Sequence, residues 1–461
     1  MTEPSPEVSG GPPTPLTPID EIDAALEALG VDTGELERPP EARTVGGRSA
    51  STVPRTRFGS PLPRNFRLLW GATALSNLGD GLRLVALPLL ATSVTDDPRL
   101  IAGVTVAERL PWLFFILPGG AWADRYDRRV LRIRLDIARA IVMSVLVAAI
   151  LVDQVSIWVL FAVAALLASA EAVVDSSSMA MIPATVDGKD LERAVGRLGS
   201  TELAMNDVVG PPLGGLLFAL AVAAPFGLDA LSFAGAALVM GLMSGSYGTG
   251  VAPVPGTSMR SQVGTGFRWL WDHRLLRTLA LISTGLGTAS FIANAVYVLY
   301  ARDELGLSEF GYGLLLVPGA IGGILGSLVA PRFRHYPLRV TLTVAVLGSG
   351  LAMWLVASTT SPIAAGLFTG LSLACVMVWN VLTLALRQRM IPNELLGRVG
   401  ASYRFLVYLG MPVGALLGGI LANRYGVRAS YYVSGASLVV IAMMVPVLLR
   451  GVEEVERSAP A

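Results

Sequence analysis

The chain has 461 residues, 53% of them hydrophobic and 15% charged, with a mean hydropathy of +0.61. That composition excludes a single water-soluble core and suits repeated bilayer spans of about 20 apolar residues each. A formal net charge of +1 without long basic blocks points away from nucleic acid, and the lone Cys375 excludes an internal disulfide.

Residues 1–62 are rich in Pro, Ser, Gly and acids and lack the charged start and apolar run of a signal peptide, so they read as a disordered cytoplasmic tail. Within it Ile19, Ile22, Leu26 and Leu29 share helical spacing, which fits either a short docking helix or a transient helix in a solvated tail. From Phe66 onward, apolar segments of spanning length begin near residues 68, 101, 131, 156, 196, 226, 277, 311, 340, 363, 398 and 429. The predicted fold is therefore an all-α membrane protein of twelve transmembrane helices in two pseudo-symmetric six-helix bundles, residues 63–246 and 277–450, with a cytoplasmic tail at 451–461. Between the bundles, residues 247–276 read as a Gly/Pro-rich cytoplasmic linker followed by a basic, Trp-containing amphipathic helix at the interface.

Arginine sets the orientation. With the N-terminus inside, the cytoplasmic flanks hold Arg64, Arg67, Arg125, Arg128, Arg129, Arg193, Arg274, Arg332, Arg334, Arg387 and Arg389, against Arg99, Arg302, Arg424 and Arg428 outside. Both termini are then cytoplasmic, in a plasma (inner) membrane. An internal repeat agrees with the division into halves: "GRLGS" at 196–200 and "GRVGA" at 397–401 precede Pro211 and Pro412 by the same interval, and each proline leads into a run of small residues. Two related halves that rock about one midplane site are what alternating access requires.

"GGAWADRYDRR", residues 119–129, resembles the loop motif of the major facilitator superfamily, with Gly120, Asp124, Arg125, Arg128 and Arg129 at its matching positions. Asp127 stands where the general pattern has glycine, a departure that resembles the macrolide and siderophore (enterobactin exporter-like) efflux branch, as does "LGDGL" in span one. The resemblance covers residues 66–450 and implies a transporter, not an enzyme. On physical grounds this loop is a gate: its acids and arginines clasp the cytoplasmic helix ends and must part for inward opening. "GPPLGG" in span five resembles the antiporter motif of drug/proton exchangers, with Gly210, Pro211, Gly214 and Gly215 forming a bent helix and a tight seam between the halves. Asn206 replaces an upstream glycine of that pattern, and plain packing glycines are the competing reading.

Charges inside spans carry the functional expectation. Asp80 falls near the centre of span one, where an acid costs about 3 kcal/mol and must face water, pair or hold a proton. Arg83, three residues on, makes an internal ion pair the alternative. Glu171 and Asp175 share one face of span four and Asp207 sits near the middle of span five. Arg109, Asp136, Arg139 and Arg404 complete the set, Asp136 with Arg139 being the plainest structural pair. Both histidines, His273 and His335, lie in loops, so carboxyls are the expected proton carriers, in the order Asp80, Asp207 and Glu171, with Asp175 beside Glu171. Sodium is the alternative ion. The sole lysine, in "DGKD" at 187–190, cannot form a nucleotide-binding loop, and no metal cluster, cofactor site or catalytic triad is expected.

For the substrate cavity the candidates are Asn77, Arg83, Asn294, Trp379 and Asn380, with Phe114, Phe115, Phe291, Tyr297 and Met377 as apolar lining. The expectation is a monomer in the lipid bilayer that exports a small amphipathic organic compound, such as a drug, antibiotic or siderophore, by proton antiport. A dedicated exporter of one endogenous metabolite and a non-transporting receptor or scaffold with static charge pairs are the alternatives.

Overall fold

A computed structural model describes residues 62–115, 126–248, 259–392 and 394–450. The expected tail helix around Ile19–Leu29, most of the Gly/Pro linker and residues 451–461 lie outside the described residues. The described part is helical and without strands. Its rods are α1 (Arg64–Val94), α2 (Pro98–Phe115), α3 (Arg128–Leu151), α4 (Ile157–Thr185), α5 (Gly188–Leu220), α6 (Ala224–Gly241), α7 (Met259–Asp272), α8 (Arg274–Glu304), α9 (Glu309–Val329), α10 (Leu338–Ser358), α11 (Pro362–Met390), α12 (Leu396–Tyr425) and α13 (Val427–Leu448).

Nine of these helices, α4 to α6 and α8 to α13, are long and apolar enough to cross a membrane. The helices α1, α2 and α3 have the length but carry too many charges to stand out by hydropathy, because they hold the buried ion pairs described below. With the nine they are consistent with the expected twelve. Short side chains start several rods. Ser156 caps α4 by accepting from Val159 N–H, Ser308 caps α9 from Gly311 N–H, and Ser361 caps α11 from Ala364 N–H.

Two departures from regular helix were not foreseen. In α5 the turn Leu203–Val209 is π-helical, with Gly210 N–H donating five residues back to Met205 O. Pro211 and Pro212 follow directly and remove the donors that the preceding carbonyls would have used, so this turn loosens. In α8 the regular helix stops at Asn294, resumes at Tyr297–Leu299 and ends in a π-turn over Tyr300–Glu304.

Helices before residue 248 pack mainly on one another, α1 on α6, α3 on α6 and α2 on α4, while α9 packs on α11, α8 on α12 and α10 on α13. The two sets meet along α2 with α12 and α5 with α9. The second seam depends on Gly215, where a Cβ would collide with the backbone oxygen of Glu309 in α9. Gly210 and Gly214, expected at the same seam, instead face α1 within the first set, a Cβ on Gly210 sitting 2.6 Å from Gly81 Cα and one on Gly214 2.6 Å from Leu82 O. At the first seam, a Cβ on Gly419 would come within 2.8 Å of Ala102 Cβ. Arg302 adds a bond between the sets, donating to Thr92 Oγ1 at 2.8 Å. Helix α7 packs on α12 beside Arg398, burying Leu270.

Candidate functional site

Two features occupy the interior: a charge cluster among α1, α2, α3, α4 and α6, and a cavity among α8 to α13. The cluster centres on Asp80, whose Oδ1 accepts from Arg83 Nη2 at 2.9 Å and from Arg139 Nη2 at 2.6 Å. Arg83 reaches in three further directions, to Glu171 Oε2 at 3.1 Å, Glu108 Oε1 at 3.7 Å and Asp229 Oδ2 at 4.0 Å. Arg139 is fixed by Ser76 Oγ at 3.0 Å, by Asp136 at 3.6 Å and by the face of Phe233, with 3.8 Å from its guanidinium carbon to the ring centroid. Asp136 also faces Arg132 at 3.5 Å, and Arg132 donates to Thr73 and Ser178.

Helical spacing explains the assembly. Asp80 and Arg83 stand three residues apart on α1, and Arg132, Asp136 and Arg139 four and three apart on α3, so each helix presents its charges on one face. The two faces meet, and α2, α4 and α6 contribute Glu108, Glu171 and Asp229. The result is five carboxyls around three guanidiniums. The pair Asp136–Arg139 is present, and so is Asp80–Arg83, but both are parts of one larger network. Asp229 and Glu108 were not singled out from the sequence. Asp229 had a legible signal, being the sole charge in the 18-residue helix α6, whereas nothing in "VAERLP" distinguished Glu108 from a charge at a helix end. Asp229 Oδ2 is buried without a hydrogen bond.

The remaining acids are placed differently. Asp175 is exposed, one turn from Glu171 on α4, and Glu171 and Glu202 both bear on it electrostatically. Asp207 is half-buried in the π-turn of α5, where Asn206 Nδ2 donates to it at 3.4 Å. Neither touches an arginine of the cluster. No group of three or more His, Cys, Asp or Glu suited to a metal occurs among the described residues.

In the loop motif, Gly120, Asp124 and Arg125 lie outside the described residues. Arg128 donates to Ala180 O at 3.0 Å, and Arg129 donates to Met240 O at 3.1 Å and Gly241 O at 2.7 Å, so both cations sit near the carbonyl ends of α4 and α6. Asp127 caps α3, accepting from Arg129 N–H at 2.9 Å, and ties down the chain after α6 through Ser246 Oγ at 2.6 Å and Tyr247 N–H at 3.0 Å. Although its partial burial opposes ionisation, these hydrogen bonds from Ser246, Tyr247, Val130 and Arg129 hold its carboxyl below the usual range.

The cavity has a volume of about 450 Å³ and is lined by Ser283, Phe291, Asn294, Tyr297, Trp379, Asn380, Arg387, Tyr403, Arg404 and Tyr408, among others. Asn294, Trp379 and Asn380 thus line one wall system, together with Phe291 and Tyr297. Asn77, Arg83, Phe114, Phe115 and Met377 do not line it: Arg83 is committed to the charge cluster, and Phe114 is 65% exposed on the outside of α2. A relay of hydrogen bonds fixes the aromatic wall, from Trp379 Nε1 to Ser283 Oγ at 3.0 Å and between Ser283 Oγ and Tyr403 OH at 2.7 Å. Helix α2 bridges both features. Its Glu108 faces Arg83, while the next residue, Arg109, lies 5.5 Å from the centroid of Phe291, and Trp112 stacks on Tyr408 at 5.8 Å.

Residues 58–460 match the model of a family described as transmembrane secretion effector. The multidrug efflux pump Tap of Mycobacterium tuberculosis is 28% identical over 85% of this chain and 93% of its own length. Macrolide efflux protein A of Streptococcus pyogenes is 23% identical over 83% and 95%, and the enterobactin exporter EntS of Salmonella choleraesuis 27% over 86% and 94%. Among solved structures, a bacterial homologue of the human lysosomal transporter Spinster, inward-facing and occupied, superposes with a TM-score of 0.68 at 15% identity, covering 87% of this chain and all of that one.

Proposed function

Since the chain belongs to the transmembrane secretion effector family of the major facilitator superfamily, we propose that it exports small amphipathic organic compounds in exchange for protons, by alternating access. Membership makes it a multi-pass membrane transporter rather than an enzyme, and a transporter works on small-molecule substrates from within a lipid bilayer. Efflux is the shared theme of the relatives, whose names specify a multidrug pump, a macrolide pump and a siderophore exporter.

The observation that carries proton coupling is the imbalance between carboxyls and guanidiniums in the cluster. With all groups ionised, the carboxyls outnumber the arginines within ion-pair distance by two; Arg109, which bears on Glu171 from α2, offsets part of that excess, and the remainder costs several kcal/mol among apolar helices. Bound protons remove that cost. Asp80, gripped by two arginines, serves as the fixed charge at the centre. Glu171, whose side chain is 28% exposed, is the carboxyl placed to trade protons with water, and the fully enclosed Asp229 is the inner member. Losing protons here draws α4 and α6 toward Arg83, and gaining them relaxes that pull. Asp207 and Asp175 then act as flanking acids on the route to water.

The geometry favours a cycle intermediate closed at the end where α1 finishes and α2 and α9 begin. Arg302 with Thr92, Gly215 with Glu309 and Gly419 with Ala102 all join the halves there. By the arginine distribution that end is extracellular, both termini are cytoplasmic and the membrane is the inner membrane. The functional units are the bundles 63–246 and 277–450, joined by 247–276, acting as a monomer.

The test is a substrate panel in proteoliposomes with an imposed pH gradient. Uphill movement should vanish when a protonophore collapses the gradient, and Glu171→Gln should abolish it while sparing gradient-free substrate exchange. Uphill movement that survives the protonophore and follows a sodium gradient instead would overturn proton coupling.

A further inference from the structure

The cavity differs in charge from the cluster beside it. Its described lining holds two arginines, Arg387 on α11 and Arg404 on α12, and no Asp or Glu. Arg387 donates to Thr383 O at 3.2 Å and lies flat against Tyr403, 3.7 Å from the ring centroid, and Arg404 bears on it as a like charge. No carboxylate comes within ion-pair distance of either arginine among the described residues. A third cation approaches from α2: Arg109 sits over Phe291, a lining residue, and its buried Nε has no hydrogen-bond partner.

Adjacent guanidiniums without a carboxylate, at the edge of an aromatic chamber, repel each other, and an incoming anion relieves that repulsion. The planar forks of arginine suit two-point binding of a carboxylate or sulfonate, and the aromatic wall of Phe291, Tyr403 and Tyr408 suits a flat apolar body. Glu171 of the adjacent cluster bears on Arg109 electrostatically, whereas Arg387 and Arg404 have no carboxylate within ion-pair distance among the described residues and are the cations left for a ligand.

We propose that the cavity selects organic anions, aromatic molecules bearing a carboxylate or sulfonate, with Arg387 and Arg404 as the residues that set this preference over cations. This assignment rests on the transport reading above and specifies its substrate class. It also makes the two halves complementary: the surplus negative charge lies in one and the surplus positive charge in the other. The same chemistry has a second source, the headgroup of an acidic lipid, and the experiment separates the two.

Fluorescein and rhodamine 123 share a xanthene scaffold and carry opposite charge. Their binding to the purified full-length chain in phosphatidylcholine nanodiscs is followed by fluorescence anisotropy. Fluorescein should bind at least roughly tenfold more tightly, and the double variant Arg387→Gln/Arg404→Gln should lose that preference while Arg387→Lys/Arg404→Lys keeps most of it. Wild-type and variants are compared only at matching gel-filtration profiles, and Arg404→Gln alone, at an exposed position, gives an intermediate loss in a chain whose packing is untouched. Equal or tighter rhodamine binding, a preference unchanged in the double variant, or binding of neither dye overturns the proposal. So does displacement of fluorescein when phosphatidylglycerol replaces part of the phosphatidylcholine, which would assign the pair to lipid. Binding needs no gradient, so a chain that prefers fluorescein yet moves nothing in proteoliposomes would sink the exchange reading alone.

Discussion

Two isosteric substitutions in the charge cluster should behave in opposite ways. Asp80→Asn removes a carboxylate oxygen that accepts from Arg83 at 2.9 Å and from Arg139 at 2.6 Å. Each such charged bond contributes about 1.5–3 kcal/mol, and a neutral amide oxygen retains roughly 1 kcal/mol of each, so the net loss is about 1–4 kcal/mol. Asp229→Asn touches an acid whose nearest guanidinium atom is 4.0 Å away, and whose Oδ2 accepts no hydrogen bond. Its Oδ1 contact with Ser232 at 3.4 Å survives in the amide. Because Asp229 belongs to the surplus, neutralising it should leave stability within about 1 kcal/mol of wild type, on either side. Thermal unfolding in nanodiscs at one scan rate reads the difference, with a shift of roughly 2 °C per kcal/mol for a chain of this size. Asp80→Asn should thus unfold about 2–8 °C early and Asp229→Asn close to wild type. If Asp229→Asn falls as far as Asp80→Asn, the five-to-three imbalance is not real and proton coupling at this cluster loses its basis.

Other outcomes follow from separate contacts. Gly210→Ala forces a methyl to within 2.6 Å of Gly81 Cα, so it should cost about 1–3 kcal/mol through displacement of α5 from α1, read by the same unfolding assay. Gly215→Leu collides with the Glu309 backbone across the seam and should hold the halves apart at that end; a cysteine-specific label at a neighbouring seam position would react faster, and unchanged labelling would contradict the seam. Asp127→Asn keeps the α3 cap but replaces the oxygen that accepts from Ser246 Oγ and Tyr247 N–H with an NH2 donor, which should cost about 1–2 kcal/mol at pH 7. The sign with pH is fixed by the lowered carboxyl of Asp127: its contribution is present above the unfolded-state value and is lost as pH falls through the folded one, so wild type and variant should converge only once pH drops below the usual carboxylate range. Trp379→Phe removes the donor to Ser283 and leaves a void at a buried position, which should weaken fluorescein binding several-fold and also lower the unfolding temperature.

Hydrophobic periodicity determined the spans, since lipid demands about 20 apolar residues in a row and leaves few alternatives for the backbone. The expected starts near residue 156 of α4 and 311 of α9 fall within a few residues of the structure's Ile157 and Glu309 for that reason. Motif residues such as Arg128 and Gly215 were legible because their roles, gripping carbonyl ends and permitting close approach, depend on residue type alone. The partners of Asp80 and Arg83 were not. Arg83 is visible three residues from Asp80, but Arg139, which grips Asp80, and Glu171 and Asp229, which face Arg83, come from helices 59 to 149 positions from Asp80, and only packing brings them into reach. The same holds for the cavity: an arginine at a helix end reads as an orientation signal in the sequence, and only the fold turns Arg387 and Arg404 toward a chamber without acids. Sequence set what each helix is made of, because the solvent acts on every residue locally; the tertiary structure alone decided which charges neutralise one another, because that depends on distances between helices.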